Sequence, residues 1–231
     1  MTFRYSRRQA LWLSAGLVTA CSDRKEIAPS PEVPLADATP HEQAPPPGTD
    51  ASPRACTKTH DNIEGPYYRA GAPERGDLTE SGMTGTPLVI EGRVQGFDCQ
   101  QGIAGVELDV WHATHEGHYD NDGTMRLGDK FLLRGRIKTD AEGRYRVKTI
   151  VPGRYLNGRQ YRPAHVHVKV RPPQGSALAA LTTQLYFPGD PYNDVDPFIH
   201  RSLIMDVEKA SGGMRGHFDF VLERLSAARG A

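Results

Sequence analysis

Arg162-Pro163-Ala164-His165-Val166-His167-Val168-Lys169-Val170 decides how the rest of the chain is read. Valines stand at 166, 168 and 170, with other residue types between them. Successive side chains of a β-strand point to opposite faces, so a period of two marks a strand with one face in a core. Val166, Val168 and Val170 enter that core. His165 and His167 then project together from the other face. Two imidazoles on one strand face can share a metal ion. Histidines also occur on solvated strand faces, so the pair alone leaves both readings open.

The same period recurs on either side. Leu88 to Val94 reads as a strand. Val106, Leu108 and Val110 alternate with Glu107, Asp109 and Trp111, the signature of a half-buried strand. Arg136 to Thr139 and Arg144 to Val147 flank Asp140-Ala141-Glu142-Gly143, which predicts a hairpin with a four-residue turn. Thr182 to Phe187, Leu203 to Val207 and Phe218 to Leu222 give three more strands. No long amphipathic helix and no internal repeat is visible. With 24 Gly and 18 Pro, the chain suits short strands and tight turns better than a helical bundle. The expected fold is all-β: an antiparallel β-sandwich whose long loops carry function.

The first part of the 231 residues reads differently. Arg4, Arg7 and Arg8 precede an apolar stretch from Ala10 to Ala20. A membrane-spanning helix needs ~20 apolar residues, so this stretch reads as a leader. Val18-Thr19-Ala20-Cys21 resembles a bacterial lipobox, in which Cys21 is lipidated, and Ser6-Arg7-Arg8 resembles a twin-arginine export signal. An ordinary secretory leader is the alternative. Ser22 to Arg54 is rich in Pro, Ala, Glu and Asp and lacks apolar periodicity, which predicts a disordered tether. The expected organisation is a signal peptide at 1–20, a tether at 21–55 and one β domain at 56–231. That describes an exported lipoprotein facing the periplasm or on the outer membrane, touching membrane only through its anchor. In an oxidising compartment two cysteines in one small domain commonly pair, so a Cys56–Cys99 disulfide is expected, with two separate buried thiols as the alternative. The 28 basic and 28 acidic residues cancel, which gives no global pull toward nucleic acid.

Other clusters invite a metal reading less strongly. Asp190, Asp194 and Asp196 lie among prolines, and turn chemistry favours a capped, hydrated turn over a calcium site. His112, His115 and His118 are three apart on a strand end and loop, where that spacing does not converge. They read as non-ligands.

Five ordered segments resemble the intradiol ring-cleavage dioxygenases, the family of catechol 1,2-dioxygenase and protocatechuate 3,4-dioxygenase. They are Glu64-Gly65-Pro66-Tyr67-Tyr68; Gly105 to His112, leading to Gly117-His118-Tyr119; Leu133-Arg134-Gly135 with Asp140 to Tyr145 and Thr149 to Tyr155; Arg162 to His167; and Leu181 to Pro191. The resemblance runs from about Thr57 to Leu222. It implies a single ferric iron, Fe(3+), bound by Tyr119, Tyr155, His165 and His167. Ferric iron is hard and favours anionic oxygen, and a cation holds a tyrosine as phenolate. Tyr161 competes with Tyr155, which is preferred because it follows Pro152-Gly153. The resemblance gives Tyr155 a second role as the base displaced during catalysis. It gives Arg162 and Gln184 catalytic or supporting roles, with a structural salt bridge as the alternative for Arg162. Gly65, Pro66 and Tyr67, with Arg162, would wall the substrate pocket.

The implied partners are a small aromatic diol and O2. The implied product is a cis,cis-muconate-type diacid, a step of aromatic catabolism. The lean head is closer to a protocatechuate-type subunit, but Tyr155 is followed by Leu156 rather than the Pro common there, so catechol, protocatechuate, a substituted catechol and hydroxyquinol all remain open. The chain is compatible with a homo-oligomer. Two other readings stand beside this one. One is a non-catalytic β-sandwich binding module of a surface lipoprotein. The other is a zinc hydrolase, which requires a carboxylate or a third histidine beside His165 and His167.

Overall fold

Eleven strands form among the described residues, which in this computed structural model are 56–225 with Arg126 excepted. The expected leader at 1–20, Cys21 and the tether at 21–55 lie outside them. The strands are β1 (Pro87–Gly96), β2 (Glu107–His112), β3 (Arg134–Lys138), β4 (Arg144–Ile150), β5 (Tyr155–Asn157), β6 (Gln160–Arg162), β7 (His165–Arg171), β8 (Leu181–Tyr186), β9 (Asp206–Ala210), β10 (Gly213–His217) and β11 (Phe220–Leu222). Short 3-10 turns span Pro191–Asp194 and Arg201–Leu203.

One sheet has the order β3-β2-β7-β8 and is antiparallel throughout. The other has the order β11-β1-β10-β9, with β4 also paired to β1. It is mixed, because β1 runs parallel to both β10 and β11 and antiparallel to β4. The all-β expectation stands, but of the two large sheets only the first is purely antiparallel. β5 and β6 form a small separate ribbon.

The core lies between the two sheets. Leu88, Ile90 and Val94 of β1 and Val147 of β4 meet Leu108 and Val110 of β2 and Val166, Val168 and Val170 of β7. Each such side chain, fully buried, contributes about 1.5–3 kcal/mol. Val168 stands opposite Val110 on one side and Thr183 on the other. One polar pin crosses this core. His112 Nδ1 lies 2.7 Å from the Ala113 carbonyl and its Nε2 lies 2.6 Å from Thr149 Oγ1. A carbonyl only accepts, so Nδ1 donates and Nε2 accepts the threonine proton. Burial holds this imidazole neutral, down at about 4, against the opposing pull of the carbonyl bond and with a smaller push from Arg134. His112 is therefore a structural histidine joining β2 to β4.

Three expectations need correction. The predicted hairpin at 140–143 is instead an arch between sheets. Lys138 pairs with Glu107 of β2, whereas Arg144 pairs with Arg93 of β1. Thr139 Oγ1 donates to the Ile103 carbonyl and accepts from Val106 N–H, while Gly143 C=O accepts from Val94 N–H, so the two ends are held by different layers. The strand expected at 203–207 starts at Asp206, since Leu203 closes a 3-10 turn. β2 is buried on both faces rather than one. The segment before β1 causes this: Tyr68 donates to Asp109 (2.9 Å) and its ring lies 4.9 Å from Trp111.

That segment is an arm laid across both sheets. Thr59 N–H donates to the Val221 carbonyl and Asn62 N–H to the Thr182 carbonyl. Cys56 at its start is joined by a disulfide to Cys99 in the β1–β2 connection, closing 43 residues of chain. Constraining an unfolded loop of that length stabilises by about 2–4 kcal/mol. Reduction, or Cys99→Ser, is expected to lower the unfolding free energy by about that amount in a denaturant titration. An unchanged midpoint would contradict it.

Candidate active site

Four rings from three segments converge on one side of the antiparallel sheet. His165 and His167 project from β7 opposite the valines, 4.8 Å apart between ring centroids. Tyr155, first residue of β5, lies 5.6 Å from His165. Tyr119, in the loop after β2, lies 5.6 Å from Tyr155 and 6.2 Å from His167, which closes the circuit. All four are buried.

Local sequence explains the convergence. The histidines share a face because they are two apart on a strand. Trp111, paired with His167 in register, stacks on it at 4.8 Å and 6° and fixes its plane. The two tyrosine loops cross backbone to backbone at glycines. A Cβ on Gly153 would lie 2.3 Å from the His115 carbonyl oxygen, and one on Gly117 would lie 2.1 Å from the Arg154 carbonyl oxygen. Only residues without a Cβ let the chain pass there. Gly153 N–H donates to the Thr114 carbonyl and ties the loops together. Asp120, next to Tyr119, accepts from buried Arg134 at 2.8 Å, which anchors the first loop on β3.

Three polar atoms of this cluster are not satisfied by protein. Tyr119 Oη, His165 Nε2 and His167 Nδ1 are buried with no hydrogen-bond partner. His165 Nδ1 donates to the Pro163 carbonyl at 2.6 Å, which leaves Nε2 as a free lone pair. Burial, reinforced by Arg162, pushes His165 down to about 3. Burial, with His165 and Arg162 nearby, likewise holds His167 well below the usual range. Burial and the neighbouring Tyr155 drive the Tyr119 phenol up. Three unpartnered buried atoms cost free energy that native structures rarely leave uncompensated. A bound cation would take up such lone pairs and reverse the tyrosine preference. Two imidazoles and two phenols suit a hard, highly charged ion. Among the described residues, no group of three or more His, Cys, Asp or Glu could hold a metal. The carboxylate or third histidine that a zinc reading requires is thus not grouped with His165 and His167.

Arg162 sits beside this circuit, its Cζ 6.0 Å from the Tyr155 ring centroid. Its Nη2 donates to Asp196 Oδ2 (2.8 Å), Gln184 Oε1 (3.0 Å) and Tyr186 Oη (3.1 Å). Burial works against its charge, but the Asp196 bond and the other partners outweigh it and raise the guanidinium pKa. Arg162 is therefore both a salt-bridge member and a neighbour of the cluster. Gln184 Nε2 donates to the Ile63 carbonyl, fixing the arm. Gly65 packs on His167, where an added Cβ would lie 3.3 Å from Cε1. Tyr67 stacks on Tyr119 at 4.4 Å, and Pro66 between them is exposed.

Tyr161 is exposed and faces Tyr192, away from the cluster. His115 is exposed and His118 is only partly covered, and neither ring contacts the four. The Asp190–Asp196 segment is not simply a hydrated turn. Asp190 caps the 3-10 turn through Tyr192 N–H and also accepts from Ala164 N–H, while Asp196 is buried against Arg162. The parts that Trp111, Arg134, Tyr186 and Asp196 play here were not read from the sequence; only Trp111, a large aromatic on the polar face of β2, carried a local signal.

Residues 63–224 match the family model named Dioxygenase_C, described as a dioxygenase. A chlorocatechol 1,2-dioxygenase from a Pseudomonas species is 34% identical over 193 residues, covering 76% of this chain and 74% of that one. Catechol 1,2-dioxygenase 2 of Acinetobacter lwoffii is 38% identical over 150 residues, 56% of this chain and 51% of that one. Among solved structures, the dioxygenase domain of a dioxygenase–carbohydrate-binding fusion from Streptomyces sp. SirexAA-E superimposes with TM-score 0.64 at 41% identity, over 73% of this chain and 99% of that one. The catechol 1,2-dioxygenase of Pseudomonas arvilla C-1 gives TM-score 0.63 at 31% identity, over 73% and 63%.

Gly153→Ala is expected to force the tyrosine loops apart at a cost of about 1–3 kcal/mol, the usual range for overpacking. Denaturant unfolding measures the cost, and near-ultraviolet circular dichroism of the tyrosines reports the separation. A parent-like stability and spectrum would contradict the crossing as the cause of the convergence.

Proposed function

Since the chain belongs to the intradiol ring-cleavage dioxygenases, and is an enzyme that opens catechol-type diols between their hydroxylated carbons, we propose that it does so with O2 at one ferric iron held by Tyr119, Tyr155, His165 and His167. The observation that carries this reading is the buried circuit of two phenols and two imidazoles with unpartnered donor atoms. Bound there, ferric iron would act as a Lewis acid that draws electron density from the diol and readies its ring for O2.

The chain's own residues supply the rest. Tyr155, whose ring lies 6.0 Å from the Arg162 guanidinium carbon, takes a proton from a diol hydroxyl as general base. Arg162 stays cationic when desolvated and faces the negative charge that develops on the substrate oxygens. Gln184 and Tyr186 hold its Nη2 edge. Trp111 keeps the His167 ring from turning, and Tyr67 walls the site beside Tyr119. Burial of all four rings keeps bulk water away. The product of this reading is a cis,cis-muconate-type diacid. Relatives named for catechol and chlorocatechol favour catechol or a substituted catechol as substrate. The non-catalytic alternative is not favoured, because these relatives are enzymes.

The reading extends to location. An exported lipoprotein, with a leader at 1–20, lipid on Cys21, a tether at 21–55 and the catalytic domain from 56, is supported by the leader's basic and apolar pattern. The Cys56–Cys99 disulfide fits an oxidising compartment.

Iron-loaded protein given catechol under labelled O2 is expected to release a ring-opened diacid carrying both oxygen atoms, identified by mass spectrometry. Tyr155→Phe should lower kcat by ~10²-fold or more, the scale of a lost general base. No ring opening, or an aldehyde-bearing product, would refute the proposal.

A further inference from the structure

The acidic run near Pro191 splits into members of different character. Asp194 is exposed and meets only exposed Arg201, at 3.4 Å. Asp196 is buried, 1% exposed at its side chain, and meets Arg162, 4% exposed. A buried ion pair is weak evidence for stability, since desolvating both charges offsets much of their attraction. Its geometry here suggests another use.

A guanidinium has five N–H donors in one plane. Arg162 Nε donates to Asp196 Oδ2 at 3.2 Å, and Nη2 donates to the same oxygen at 2.8 Å. The carboxylate is fixed in turn, because its Oδ1 accepts from Phe198 N–H at 3.1 Å. Gln184 and Tyr186 occupy the remainder of Nη2, and Tyr186 also donates to Gln184 at 2.9 Å. The Phe198 ring lies 4.9 Å from Cζ and covers one face of the plane. Nη1 alone is buried and unpartnered. The Arg162 Cζ is 6.0 Å from the Tyr155 ring. A cation clamped along one edge, with its opposite donors free beside Tyr155, is built to receive an anionic oxygen.

We propose that Asp196 is a positioning residue for ring cleavage: it locks the Arg162 guanidinium so that Nη1 is presented to a substrate oxygen as negative charge develops there. This rests on the dioxygenase reading above. Asp196 touches no reacting atom; it acts through Arg162. Because the clamp is preorganised, no reorientation is needed at the moment of reaction, which is where such donors gain their effect.

The test uses the full iron-loaded chain with catechol as substrate. Asp196→Asn keeps the shape and removes the charge. It is expected to lower kcat about tenfold to a hundredfold, short of the ~10²–10³ for outright loss of a donor, with KM nearly unchanged. Its visible absorption should stay at the parent's, while its melting temperature falls, because Arg162 keeps a buried charge without its counter-charge. In Asp196→Ala, added formate should restore part of kcat by filling the vacated carboxylate position. Asp194→Asn should behave as the parent. A parent-like kcat in Asp196→Asn would overturn the proposal. So would a loss of colour that tracks the loss of kcat with no rescue by formate, since that marks a merely structural pair. A parent that leaves catechol intact would instead overturn the dioxygenase reading, and the proposal with it.

Discussion

Strand β7 faces two environments at once, and the rest of the molecule follows from that division. Its valines fill the space between the sheets, and its histidines stand on the other side among buried polar groups. Because the side-chain period is two, a slip of one residue would put imidazoles into the apolar core and valines into the site. The core thus enforces the register on which the site depends. Neighbouring strands reinforce it: Trp111 on β2 meets His167, and Gln184 on β8 stands opposite the same residue.

The site concentrates buried polarity that the protein alone does not satisfy. The Tyr119 phenol is driven away from ionisation and the His165 and His167 imidazoles away from protonation by the same loss of water. Each would rest more easily in solvent or around a cation. The surrounding structure keeps them together by covalent and steric means: glycines where loops cross, a stacked tryptophan, the Arg134–Asp120 pair behind Tyr119, and an arm secured by a disulfide. Such local frustration within a well-packed frame is typical of functional sites.

Much of this was legible in the sequence because it obeys short-range rules. The alternation in β1, β2, β7 and β8 locates those strands, and the spacing of His165 and His167 places both on one face. Tyr119 and Tyr155 were accessible only through family resemblance, since nothing local distinguishes a ligand tyrosine from a packed one. Tyr161 shows the hazard: it is near in sequence, yet on the outer side of the β5–β6 ribbon. What stayed hidden is tertiary. β10 contains Gly213 and Gly216 and shows no apolar alternation. The turn at 140–143 has hairpin chemistry, but its two ends belong to different layers. Asp196 looks like any turn aspartate until Arg162 is brought against it from another segment.

The most direct test is the visible spectrum of the iron-loaded chain, recorded before and after catechol is added in the absence of O2. Phenolate oxygen bound to ferric iron absorbs visible light, so the protein is predicted to be coloured, and a diol binding the same ion should move the band to longer wavelength. A protein that takes up no iron, or remains colourless with it, would contradict the two-tyrosine, two-histidine site.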